Sequence, residues 1–182
     1  MFHGSGSIDK NQKGFTLVEM LIAVAITAII VGSVTTAIFQ VFTGNARTSN
    51  HMTAVRQAQE AGYWVSHDAQ MAQSANTTGA SGFPLTLTWT DWESSSGHQV
   101  IYSLQDMPGG GLKRLQRSYS VNATAPNNSF VAQYINDSGS PPQTSCDFTN
   151  GKLIFTVTAT AGSGSQGASE TRVYEVVPRP SP

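Results

Sequence analysis

Cysteine is nearly missing from this sequence of 182 residues: Cys146 stands alone. A single thiol excludes an internal disulfide and any multi-cysteine zinc or iron–sulfur site. Charge is scarce as well. Charged residues make up 12% of the chain, and ten cations against eleven anions leave a net charge of −1. That balance offers no basic excess for a nucleic-acid scaffold and no charge-rich disordered profile. Proline is absent before Pro84, so no proline breaks a helix in the first part of the chain. Catalytic signatures are missing too. There is no G-x-S-x-G, no H-E-x-x-H and no Walker loop, and His3, His51, His67 and His98 lack metal-ligand spacing. The sequence therefore points to no enzyme, no cofactor and no metal site.

What is present is unevenly placed. Ser and Thr contribute 40 residues, so polarity comes from hydroxyls rather than charges. Apolar residues make up 39% of the chain, and they concentrate near its start. Met20 to Ala46 is a run of 27 residues without a formal charge. A helix rises about 1.5 Å per residue, so about 20 apolar residues cross a bilayer core. Phe15 to about Val34 has that length. A buried core helix this uniformly apolar needs a large protein around it, and the remaining chain is too small and too polar to supply one. We read the segment as a single membrane-spanning helix. Lys10 and Lys13 precede it with only Asp9 in opposition, which places the N-terminus in the cytoplasm and the rest of the chain outside. A secretory signal peptide fits poorly. The apolar run is too long, no small-x-small cleavage site closes it, and Glu19 sits at its start. A carboxylate near a membrane costs about 1–3 kcal/mol unless it is paired, which makes Glu19 a functional candidate.

Around that acid the sequence reads Lys13-Gly14-Phe15-Thr16-Leu17-Val18-Glu19-Met20-Leu21. This string closely resembles the class III signal of type IV pilins and type II secretion pseudopilins: a short basic leader ending in Gly, then Phe-Thr-Leu-(Ile/Val)-Glu, then an apolar helix. The resemblance implies cleavage by a prepilin peptidase between Gly14 and Phe15, loss of a leader spanning 1–14, and N-methylation of the new amine on Phe15. It also implies that Glu19 neutralises the N-terminal amine of a neighbouring subunit. An unpaired carboxylate and an unpaired ammonium in an apolar bundle are each costly, and pairing reduces both penalties. The implied partners are other pilin or pseudopilin subunits, the prepilin peptidase, an inner-membrane assembly platform and membrane lipid; the balanced charge argues against nucleic acid.

Beyond the apolar run a helical pattern continues. Val55, Ala58, Gly62, Val65, Ala69 and Ala72 recur at spacings of three and four and predict one small-residue face. Arg56, Gln57, Glu60, His67 and Gln70 occupy the opposite face. One helix is thus expected from Phe15 to about Ser74, followed by a loop over 75–82. Period-two patterns then predict strands at 83–92, 99–104, 112–119, 130–135, 152–161 and 172–177, with a hairpin around the Pro108 to Gly111 turn. Pro178, Pro180 and Pro182 end the pattern. The expected fold is α+β and pilin-like: a leader (1–14), a transmembrane and assembly helix (15–42), and a globular head (43–182) in which the helix continues against an antiparallel sheet.

Finer features point to a minor subunit. Val100 to Leu104 and Gly111 to Arg114 resemble the Tyr-x-Leu … Gly-x-Leu-x-Arg hairpin of J-class minor pseudopilins and W-type minor pilins. Major pseudopilins typically carry calcium-binding acids in a late loop, and many type IV pilins close a C-terminal loop with a disulfide; here Asp137, Asp147 and Glu170 are scattered and Cys146 stands alone, departures that argue for a minor subunit or a divergent pilin. A major or competence-type pilin is the alternative. From a different class comes a membrane-anchored β-domain that binds a ligand or DNA at a filament surface. Lys113, Arg114 and Arg117 form a small basic cluster, read as a solvated hairpin edge, with DNA or partner contact as its alternative. His67 and Asp68 are neighbours on the helix and are expected to point to different sides.

Overall fold

The computed structural model describes residues 14–179. The leader residues Asp9, Lys10 and Lys13, and the prolines Pro180 and Pro182, lie outside the described residues. The chain divides into two units, Met1–Thr43 and Gly44–Pro182. A single helix, α1 (Leu17–Met71, 55 residues), contributes to both.

In the first unit α1 is long and apolar enough to cross a membrane, and none of its most apolar stretch is buried within the protein. Its hydroxyls are satisfied internally. Thr27, Ser33, Thr35, Thr36 and Thr43 each donate to the carbonyl four residues earlier, at 2.7–2.9 Å. Such back-bonding hides each hydroxyl proton from an apolar solvent.

In the second unit α1 meets an antiparallel sheet. The strands are β1 (Ser74–Thr77), β2 (Leu85–Thr90), β3 (Gly97–Asp106), β4 (Lys113–Val121), β5 (Asn127–Ile135), β6 (Ser145–Thr149), β7 (Lys152–Ala161) and β8 (Ala168–Val176). Their order is β1-β2-β3-β4-β5-β7-β6, with β8 on the other edge of β7. This is the α+β, pilin-like architecture expected from the pattern and the resemblance together. The glycine turn joins β3 to β4 as anticipated, and Leu104 faces Leu115 across the hairpin.

Two strands had no sequence forecast. β1 falls where a loop was expected and pairs Ser74 to Thr77 with β2. β6 pairs with the first half of β7, and the Cys146 amide donates to Ser81 O at 2.8 Å. The predicted 172–177 strand begins earlier, at Ala168, because β7 offers partners as far as Ala161.

The core forms between α1 and one sheet face. Ala54, Ala58, Ala61, Val65, Ala69 and Ala72 are fully buried against Leu85, Leu87, Val100, Leu115, Leu153, Phe155 and Val157. Small side chains let the helix backbone approach the strands closely. The stripe begins at Ala54 rather than Val55 and takes in Asp68. Gly62 is buried, and a Cβ there would enter the Tyr174 ring of β8. The Tyr174 hydroxyl donates to Ala58 O at 3.3 Å, so β8 is pinned to the helix where a side chain is missing.

Candidate functional site

The helix start carries the residues singled out by the sequence. Gly14, Phe15 and Thr16 precede α1 and are not helical, and Phe15 is 86% exposed. Thr16 is the cap. Its hydroxyl accepts from the Glu19 amide at 3.3 Å, while Glu19 Oε2 accepts from the Thr16 amide at 2.9 Å and the Thr16 hydroxyl at 2.8 Å. This reciprocal pair is a capping box. It satisfies two of the amides that every helix N-terminus leaves without intrahelical partners. A carboxylate in the first turn also complements the helix dipole. The Thr-x-x-Glu spacing was visible in the sequence, but its local meaning was not drawn from it.

A second polar centre lies inside the head. Asp68, 2% exposed, faces the sheet from α1. Arg117 of β4 grips it with two bonds, Nε to Oδ2 at 2.7 Å and an Nη to Oδ1 at 3.0 Å. The Tyr102 hydroxyl of β3 donates to Oδ2 at 2.5 Å. Tyr102 and Arg117 are direct cross-strand partners, so the β3–β4 register delivers both groups to one acid. Burial, then the Asp68 charge, pushes the Tyr102 phenol above its ordinary range. The bond to Asp68 raises the Arg117 guanidinium further, against the opposing effect of burial. His67 Nδ1 lies 3.5 Å from Asp68 Oδ1, and its side chain remains largely exposed. The expected separation of the two neighbours is therefore only partial: Asp68 points into the core, while the exposed His67 ring still reaches its carboxylate.

The guanidinium of Arg117 also stacks. Its carbon lies 5.2 Å from the Trp64 ring centre and 5.0 Å from that of Tyr119. Trp89, His98 and Tyr119 continue the row across β2, β3 and β4, with centroid separations of 5.2 and 5.9 Å between neighbours. His98 Nδ1 and the Tyr119 hydroxyl are 2.7 Å apart. Asp68, Arg117 and Tyr102 form a hydrogen-bonded lock between helix and sheet.

The three predicted basic residues do not share one face. Arg117 is committed to Asp68. Lys113 binds Asp106 at 2.7 Å and lies 3.9 Å from Asp137. Arg114 alternates to the opposite sheet face, where its guanidinium carbon sits 3.9 Å from the Phe130 ring centre. Trp92, in the β2–β3 turn, is 88% exposed beside Asp91, whose carboxylate is held below its ordinary range chiefly by the Ser94 hydroxyl.

Comparison with known proteins is confined to the N-terminal segment. Residues 9–35 match the family model described as the prokaryotic N-terminal methylation motif. No curated protein matches the chain, and no solved structure does. The matched residues enclose Gly14, Phe15 and the Thr16–Glu19 cap and run into the apolar helix. The chain therefore carries a prokaryotic N-terminal methylation motif, the type IV pilin signal, at the head of α1.

Proposed function

We propose that the chain is a structural, pilin-like subunit that is processed at its N-terminus and assembled through α1. The observation that carries this reading is the methylation motif at residues 9–35, which continues without interruption into a capped, exposed apolar helix. In this reading a prepilin peptidase cuts between Gly14 and Phe15. Residues 14–16 are not helical, and Gly14 has no side chain to hinder a protease's approach. Cleavage there leaves Thr16 and Glu19 in place, so the helix cap survives processing. The new amine on Phe15 is then methylated.

The 15–42 segment holds the subunit in the cytoplasmic membrane with the leader inside and the 43–182 head outside, until it enters a filament. Within that filament Glu19 neutralises the Phe15 amine of a neighbour. In the free chain its carboxylate accepts only uncharged donors from Thr16, which leaves lone pairs for an ammonium. The assembly is a type II secretion pseudopilus or a type IV pilus. The β3–β4 hairpin and the lone, buried Cys146 favour a minor subunit of the J-class or W-type kind over a major pilin.

Two substitutions separate assembly from capping. Glu19→Gln keeps a side chain that serves in a capping box but removes the charge. Thr16→Ala removes the cap, at about 1 kcal/mol, and keeps the charge. Filament incorporation, measured by crosslinking in cells, should fall about tenfold or more for Glu19→Gln, because the neighbour's amine is left buried alone. Thr16→Ala should incorporate near the normal level. Normal incorporation of Glu19→Gln would remove the charge-pairing role.

A further inference from the structure

Where the uncharged run ends, the head forms a cleft that no part of the proposed processing or assembly uses. It holds about 460 Å³ and is lined by Arg47, Thr48 and His51 of α1 and by Gly167, Ala168 and Ser169 at the start of β8. Arg47 and His51 are four residues apart, so they lie on the same helix face. Among the described residues neither side chain has a hydrogen bond or an ion pair, and no carboxylate lines the cleft. The nearest acid in sequence, Glu170, is already bound to Arg172 Nε at 3.1 Å.

A contact beside the cleft joins its two sides. Asn50 Nδ2 donates to Gln166 O at 2.8 Å, which ties α1 to the loop before β8. A Cβ at Gly162 would collide with the Asn50 side chain, so glycine is what allows that approach. The Ser169 hydroxyl is 2.8 Å from that of Thr160 and can turn its proton either way. Arg47, His51 and Ser169 thus line one cleft that holds no carboxylate. A guanidinium matches phosphate oxygens in planar, two-bond geometry.

We propose that this cleft binds a phosphate group. Arg47 is the first charged residue after Met20–Ala46, and a long cationic side chain just past the end of a span reaches the headgroup layer on that side, here the non-cytoplasmic one. An anionic phospholipid headgroup is therefore one source of the phosphate, and the free ion is the other. The lipid source rests on reading the preceding run as a membrane span; the anion site itself does not.

The test uses the full chain in detergent micelles and in phosphatidylcholine nanodiscs doped with phosphatidylglycerol. Native mass spectrometry reports retained lipid, and the His51 imidazole resonances report titration with inorganic phosphate. The wild-type chain should retain phosphatidylglycerol over phosphatidylcholine, and Arg47→Gln with His51→Gln should reduce that retention about tenfold. Arg56→Gln, on the same helix but outside the cleft, should leave it unchanged. Phosphate-induced shifts of His51 that Arg47→Gln abolishes, without lipid preference, would assign the free ion and refute the lipid source. No preference and no shift, with the fold intact by circular dichroism, would overturn the proposal. Equal loss in Arg56→Gln would do the same, because it would mark a diffuse charge effect.

Discussion

Asp68 is the residue on which the head's internal order turns. A buried carboxylate is tolerated only when its charge and its lone pairs are met, and here Arg117 and Tyr102 meet them together. Asp68→Ala would leave Arg117 aimed into the core without a partner. It should destabilise the head by about 3–5 kcal/mol in urea unfolding. Asp68→Leu combined with Arg117→Met should recover much of that loss, because an ion pair replaced by apolar groups of similar volume is often neutral. A double variant no better than the single one would mean that the pair is not the source of the cost. Cys146 gives a second prediction at this scale. Burial, then the Asp147 charge, pushes its thiol up to about 12, above the ordinary 9.0. The folded chain therefore keeps a proton that the unfolded chain releases. The associated stability is full below about pH 9 and is lost as pH rises toward 12. The native thiol should resist alkylation at pH 8 and react on unfolding. Rapid native-state labelling would contradict its burial.

At the scale of elements, α1 works through the smallness of one face. Gly62→Ala would drive a methyl group into the Tyr174 ring and should cost about 1–3 kcal/mol. Gly44→Ala meets nothing within 4 Å and should stabilise the helix by up to about 1 kcal/mol. Thermal melts of the two variants should move in opposite directions. These contrasts also mark what the sequence could convey. The stripe from Ala58 to Ala72, the strand over 152–161 and the glycine turn were legible because their periodicity is local. β1 (Ser-Ala-Asn-Thr) and β6 (Ser-Cys-Asp-Phe-Thr) were not, since they are short and hydroxyl-rich, and they exist through their partners β2 and β7. The Asp68–Arg117 pair spans 49 positions, which no window reads. Its one local sign was an acid occupying a place in an otherwise small apolar stripe. The basic trio looked like a patch because it is close in sequence, but strand alternation sends Arg114 to the other sheet face.

For the whole molecule, we propose that one chain serves first as a membrane-held precursor and then as a filament subunit. The methylation motif, the capping box and the exposed apolar helix occupy one continuous stretch, so processing, anchoring and assembly are assigned to the same residues. This predicts that the helix is retained after cleavage, unlike a secretory signal. The most direct test is intact-mass analysis of the protein from membranes of cells with and without an active prepilin peptidase. With the enzyme, the chain should begin at Phe15, lack the residues up to Gly14, and carry one added methyl group. Without it, the leader should remain. A chain that keeps its leader when the peptidase is active, or that is cut within or after the apolar helix, would contradict the account.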